Sequence, residues 1–244
     1  MKIGVIGVGA IGAPLARHLA AKGHEVWVSA RGRSAELASD TRVHVGENQD
    51  VVDAADVVAL CLRPQVATDV LEPLNFREGQ RVISVMAAVP RARLAALCGP
   101  VTDVVQTMPF EYLDQGGCPL PAFGNHALLD GLFAPENLVI PVASEAALNA
   151  HFAACTGLPL VLDVMATAAD WLGAKTGDAS AAEAYVKALI AGYLAARDGT
   201  AAQERDALAT DGTLSLRMTR AVQDTGVHEV MRATMDAIEE GLAR

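Results

Sequence analysis

Aromatic side chains are scarce in this chain: Phe, Tyr and Trp make up 4% of its 244 residues, while hydrophobic residues as a whole reach 52%. Ala, Val and Leu must therefore fill the core, and such small side chains favour close helix–helix and helix–sheet packing. Cysteine is sparse as well. Cys61, Cys98, Cys118 and Cys155 form no CxxC pair and have no histidine at ligand spacing. They read as reduced thiols of a cytoplasmic protein rather than as a disulfide framework. No HExxH, serine elbow or zinc spacing occurs, so hydrolase and metalloenzyme readings have no support and no metal is expected. The six histidines are scattered, in no arrangement with a carboxylate or serine that suggests a relay; His126 alone, in an expected loop from Asn125 to Pro135, is placed to reach a site.

Positive charge is in deficit, with 19 Lys and Arg against 29 Asp and Glu and a formal net charge of −10. An acidic surface attracts neither nucleic acid nor an anionic membrane, so neither is expected as a partner. An anionic cofactor held by local geometry is compatible with that charge. The chain has no charge blocks, repeats or low-complexity linkers, and no apolar run in it reads as a membrane span. Its length suits one large domain or two modest ones.

What is present begins at the first residue. Lys2 to Ile6 reads as a buried strand that runs into Gly7, Gly9 and Gly12 and then into a helix. In a nucleotide-binding turn, the first glycine permits the tight turn and the second lets the backbone approach a pyrophosphate. The third lets the helix lie close on the strand. A lysine followed by an apolar run also fits a signal peptide, but the glycine spacing and an amphipathic pattern reaching Ala21 speak against that. The next strand, Glu25 to Ser29, ends in Ser29, Arg31, Arg33 and Ser34, where an NAD site would place a carboxylate. Donors and positive charge at that point favour NADP.

Further strands are expected at Arg42–Val45, Asp56–Leu62, Gln80–Val85, Val101–Thr107, Leu138–Val142 and Leu158–Leu162, with helices between them. This is the pattern of an α/β Rossmann doubly wound parallel sheet over residues 1–163. From about 164 to 244 the chain turns alanine-rich and helical, an all-α domain. A capping box at Ser180–Glu183 opens its helix to Ala196, and later helices follow to Leu208, from Thr213 to Asp224 and from Val227 to Gly241. About eighty such residues would make a marginal core alone, which points to a homodimer through the C-terminal helices.

The order of motifs resembles the pyrroline-5-carboxylate reductase family. It consists of the Gly7–Gly12 loop, Ser29-Ala-Arg31, Ala54 to Gln65, Val82 to Ala88, and Val104-Val-Gln-Thr-Met-Pro-Phe110. Leu208 to Leu214 stands where the family has a substrate loop. The resemblance implies an N-terminal Rossmann domain, an interlocked helical dimer, and reduction of a cyclic imine carboxylate with NAD(P)H. It further implies that Gly7, Val8, Gly9, Ala10, Ile11 and Gly12 hold the pyrophosphate, with Ser29, Arg31 and Arg33 toward the 2′-phosphate. Cys61, Leu62, Arg63, Pro64 and Gln65, together with Met86, Ala87 and Ala88, would line the nicotinamide and its ribose. Met108, Pro109 and Phe110 would face the substrate, and Asp211, Gly212 and Thr213 would approach it from the partner subunit. Thr213, as the candidate catalytic hydroxyl, would orient the imine nitrogen; its other reading is a helix N-cap.

Phe110 stands where the family has Asn, Gln106 where it has Arg, and Asp211 brings a carboxylate to a loop that would meet an anionic substrate. These departures keep the expected reaction class, NADPH-dependent reduction of C=N, but point away from pyrroline-5-carboxylate itself. Two alternatives stand beside it. One is an NADP-dependent dehydrogenase of a β-hydroxyacid or ketone, which would need an acid such as Lys175, Lys187, Tyr185 or Tyr193. For Lys187 a solvated pair with Glu183 is the plainer reading. The other is an NADP-binding protein without catalysis.

Overall fold

The computed structural model describes residues 1–243. The chain forms two compact units: Met1–Phe152 together with the C-terminal end from Glu239, and Ala153–Ile238.

The first unit runs β1 (Lys2–Ile6), α1 (Gly12–Ala21), β2 (Glu25–Ser29), α2 (Ser34–Leu37), β3 (Val43–Gly46), α3 (Asn48–Ala54) and β4 (Val57–Leu60). It continues with α4 (Pro64–Leu71), β5 (Arg81–Ser84), α5 (Arg91–Leu97), β6 (Asp103–Thr107), β7 (Pro119–Gly124), α6 (His126–Phe133) and β8 (Leu138–Pro141). Helix α7 (Glu145–Cys155) then carries the chain into the second unit. The strands make one sheet in the order β3-β2-β1-β4-β5-β6-β7-β8.

The first six strands are mutually parallel, as expected of a doubly wound sheet. The last two reverse: β7 pairs antiparallel with β6, and β8 runs parallel to β7. β7 contains two prolines, which supply no N–H to a ladder. Its pairing with β6 uses only Ala122 to Gly124 and so leaves Pro119 and Pro121 out. His126, expected in a loop, instead opens α6, whose first turn is capped by the Asn125 side chain accepting from the Leu128 N–H.

Alternation along the central strands feeds two cores. Ile3 and Val5 meet Leu15 and Leu19 of α1 and Leu129 and Phe133 of α6 on one face. Ile6, Val58 and Leu60 meet Val51 of α3, Leu71 of α4 and Leu94 of α5 on the other. Strands buried on both faces read as continuous apolar runs, which is why β4 is so plain in the sequence.

The second unit is helical: α8 (Leu158–Thr176), α9 (Ala179–Ala195), α10 (Ala201–Leu208), α11 (Leu214–Gln223) and α12 (Val227–Leu242), whose last residues return to the first unit. The strand expected at Leu158–Leu162 is the start of α8. A five-residue apolar run does not distinguish strand from helix, and Pro159 sits in the first helical turn, where its missing N–H costs nothing. The cap of α9 lies two residues earlier than expected, with Asp178 rather than Ser180 accepting from the Ala181 N–H at 2.9 Å. Where α8 turns into α9, Gly173 packs so closely that a Cβ there would lie 3.0 Å from Ala179 Cα.

No apolar run was expected to read as a membrane span, and the structure corrects this. Residues Glu145–Thr176 form a helical stretch of 32 residues with an apolar window of mean hydropathy 1.6, long and apolar enough by length and composition to cross a membrane. Only 11% of that window is buried.

Candidate functional site

In the sheet order β3-β2-β1-β4 the direction of strand succession reverses between β1 and β4, and open α/β sheets bind ligands outside the strand ends at such a point. Gly7 follows β1 there with φ +96°, and a Cβ on it would lie 2.5 Å from the Cys61 carbonyl oxygen beyond β4. A Cβ on Gly12 would run into the carbonyl oxygen of Gly7. Both glycines are thus demanded by backbone packing. Gly9 differs: a Cβ built on it meets nothing within 4 Å. The glycine needed least by the fold is therefore the one whose open side a ligand's phosphates can approach. Ile11, the N-cap of α1, makes no side-chain capping bond, and the first N–H groups of a helix have no intrahelical acceptor. The Ala13 N–H is taken by the Gly9 carbonyl and Pro14 has none, so an anion at this turn would have the backbone ahead of Ala13 to meet.

The loop after β2 is strapped to this turn. Val8 and Gly32 form a parallel bridge, and the Arg33 N–H donates to the Val8 carbonyl at 2.7 Å. The four polar residues read there from the sequence have different fates. Ser29 is buried at 3% exposure, and its Oγ accepts the Gly7 N–H at 3.0 Å. Ser34 donates to the Ala30 carbonyl. Arg33 is clasped by Glu36, with Nε 2.9 and 3.1 Å and Nη2 2.8 Å from its carboxylate oxygens. Arg31 is exposed and has no hydrogen bond or ion pair among the described residues.

Beyond β4, the Cys61 N–H donates to the Ile6 carbonyl at 2.8 Å, and burial pushes its thiol up to about 12, so it stays neutral. Leu62 packs on the α3–α5 core, Arg63 caps α4, Pro64 occupies the first turn of that helix, and Gln65 is exposed. Beyond β5, the Met86 side chain belongs to the same core, Ala87 is half-buried, and Ala88 is exposed with φ 56°. Left-handed backbone is strained for a residue with a Cβ and clusters at functional turns. A cavity of about 180 Å³ opens beside it, bordered by Val89, Pro90, Glu145 and Asn149. Beyond β6, Met108 is half-buried and Pro109 buried. Phe110 stacks on Tyr112 with ring centroids 5.8 Å apart.

Asp211, Gly212 and Thr213 belong to the second unit. Thr213 caps α11: its hydroxyl accepts the Leu216 N–H at 3.2 Å and donates to the Thr210 carbonyl at 2.7 Å. Asp211 is fully exposed, 3.9 Å from Arg220. Lys187 pairs with Glu183 at 2.7 Å, as its spacing predicts, and the Tyr193 hydroxyl donates to Glu204 at 3.0 Å.

Sequence reasoning passed over two features. Glu36 neutralises one of the two arginines of the β2 loop. Gln106 Oε1 and Thr107 Oγ1, at the end of β6, are buried without a partner among the described residues. Gln106 stands out in the sequence where the family has Arg, but the missing partners of these two atoms are not legible there.

Residues 2–88 match the family described as NADP oxidoreductase, coenzyme F420-dependent. No curated protein sequence matches the chain. Among solved structures, 1-pyrroline-5-carboxylate reductase from Streptococcus pyogenes is 22% identical, with a TM-score of 0.85 over 99% of this chain and 98% of that one. Pyrroline carboxylate reductase from Plasmodium falciparum, solved with NADP bound, is 15% identical, with a TM-score of 0.84 over 99% and 97%. An imine reductase from a Pseudomonas species is 19% identical, with a TM-score of 0.59 over 99% and 92%. This chain has the fold of the pyrroline-5-carboxylate reductases along its whole length.

Proposed function

We propose that the protein is an NADPH-dependent reductase that transfers hydride to a C=N substrate of the pyrroline-carboxylate kind, and that it works as a homodimer in the cytoplasm. The observation that carries this is the glycine turn. Gly7 and Gly12 lock the backbone at the switch point while Gly9 leaves open space in front of the α1 N-terminus, the shape a dinucleotide's pyrophosphate requires. The match of residues 2–88 to an NADP oxidoreductase family and the shared fold with two pyrroline carboxylate reductases and an imine reductase support it.

When bound, NADPH would supply the hydride. The chain's task is to hold the cofactor and substrate in register and to keep water away. The N–H groups at the start of α1 would hold the pyrophosphate, Arg31 would meet the 2′-phosphate, and Cys61–Gln65 with Met86–Ala88 would border the nicotinamide. Cys61 brings no charge to that border, because burial keeps its thiol protonated. Phe110 and Tyr112 give the substrate side an apolar wall after Met108 and Pro109. An imine that enters protonated needs no strong acid. Orienting its nitrogen falls to Thr213, whose hydroxyl would exchange the Thr210 carbonyl for the substrate. A ketone would need a proton donor for the developing alkoxide. Lys187 and Tyr193 are already engaged by carboxylates, which disfavours that reading.

The test is NADPH consumption across a panel of cyclic imines, including pyrroline-5-carboxylate, and 2-oxo acids. Turnover of a cyclic imine other than pyrroline-5-carboxylate is expected. Turnover confined to 2-oxo acids would replace the imine with a ketone. NADPH binding without turnover of any compound would leave a non-catalytic binder.

A further inference from the structure

We propose that Glu36 sets the cofactor preference of this site: by clasping Arg33 it leaves Arg31 alone to meet a 2′-phosphate, so that NADH is accepted beside NADPH. The inference rests on the dinucleotide reading of the glycine turn. Its geometry is fixed by the Val8–Gly32 bridge and the Arg33 N–H bond to Val8, which hold the β2 loop against that turn.

Of the donors a 2′-phosphate could use there, Ser29 is buried at 3% exposure with its Oγ accepting the Gly7 N–H, and Ser34 spends its proton on the Ala30 carbonyl. Arg33 is held by three bonds of 2.8 to 3.1 Å to one carboxylate. A guanidinium in a bidentate carboxylate pair has its fork occupied, and the pair as a whole offers a phosphate no net charge. The carboxylate also remains charged: the bond from Arg33 holds Glu36 below the usual range. Glu36 lies in α2, past the end of β2, so its effect on a 2′-phosphate runs through Arg33, and the i,i+3 spacing of the two sets the clasp.

Calorimetric titration of the full chain with NADPH and with NADH is the test, on wild type, Glu36→Gln, and Glu36→Gln combined with Arg33→Ala. Glu36→Gln should tighten NADPH about threefold to fivefold while NADH is unchanged, the upper range of a released surface ion pair. The gain should vanish in the double variant, because it requires the freed guanidinium. Glu36 is exposed and the change nearly isosteric, so thermal unfolding should not move. An NADPH to NADH affinity ratio unchanged within about twofold, or a gain that survives loss of Arg33, overturns the role of Glu36 and leaves the dinucleotide site intact. Wild-type protein that binds neither nucleotide overturns the dinucleotide site itself.

Discussion

Gly9 and Gly12 occupy the same turn for opposite reasons, and this separates cofactor binding from folding at the scale of one methyl group. On Gly12 a Cβ collides with the Gly7 carbonyl oxygen, a backbone atom one residue beyond the Ile6 carbonyl that the Cys61 N–H holds. Overpacking of that kind costs about 1–3 kcal/mol or more. On Gly9 the methyl would point into the open space that the pyrophosphate needs. Gly9→Ala should therefore keep the wild-type unfolding midpoint and lose NADPH affinity by about tenfold or more. Gly12→Ala should unfold at lower denaturant whether or not cofactor is present. Chemical denaturation and NADPH titration of both variants check this, and a destabilised Gly9→Ala of normal affinity would reverse the assignment. The glycine spacing is legible in the sequence because each position answers a separate backbone demand. The Glu36 clasp is not, since its meaning depends on a four-residue helix turning the carboxylate back onto Arg33. The orphaned Gln106 and Thr107 atoms are invisible for the same reason: what a buried polar atom lacks is decided by neighbours far along the chain.

Elements were readable where one physical pattern dominated. The β4 run Val57–Leu60 is apolar throughout and could only be buried, and Gly23 and Gly177 end α1 and α8 as left-handed stops do. Reading failed where patterns competed, as in Leu158–Leu162, where strand and helix explain the same apolar residues. Between elements, α1 and α6 are joined by His18. Its ring stacks on Phe133 at 5.4 Å, and Nε2 lies 3.3 Å from the Leu132 carbonyl. Burial lowers its pKa below 6.5, against the opposing pull of that carbonyl, and His24 shifts the same way. The sign follows from proton counting: below about 6.5 the unfolded chain takes up a proton that the folded ring resists, so stability falls as pH drops. The loss levels off below the folded pKa. His18→Phe should keep the stacking, flatten this fall between neutral pH and about pH 5, and leave a smaller slope from His24. Urea midpoints of both proteins across that range measure it; identical slopes would mean that His18 does not titrate on unfolding.

At the scale of the whole molecule, the open question is what covers the second unit. Trp171 is 64% exposed, Tyr185 59%, Leu194 66%, Leu214 82% and Met218 69%, spread over three helices. Large apolar side chains exposed in such number on one unit point to a surface that is covered in use. The long apolar stretch through α7 and α8 raises a membrane as a rival cover. Two features favour a second copy. The chain carries a formal charge of −10, which an anionic bilayer would repel. The α8–α9 pair also keeps Glu183, Lys187 and Asp170 among its apolar residues, and charges there suit a protein interface rim better than a hydrocarbon core. Sedimentation should therefore give twice the 25.4 kDa chain mass at micromolar concentration. Leu194→Asp should shift the protein toward the single-chain mass, because each copy would bury a carboxylate without a partner at a cost of several kcal/mol. Since the glycine turn lies wholly within the first unit, that variant should bind NADPH within about twofold of wild type. Its turnover should fall by about tenfold or more, because Asp211–Thr213 would no longer be presented by a partner. A single-chain mass for the wild type, or its recovery on lipid vesicles in flotation, would remove the dimer, and with it the reason for placing Thr213 near a partner's nicotinamide.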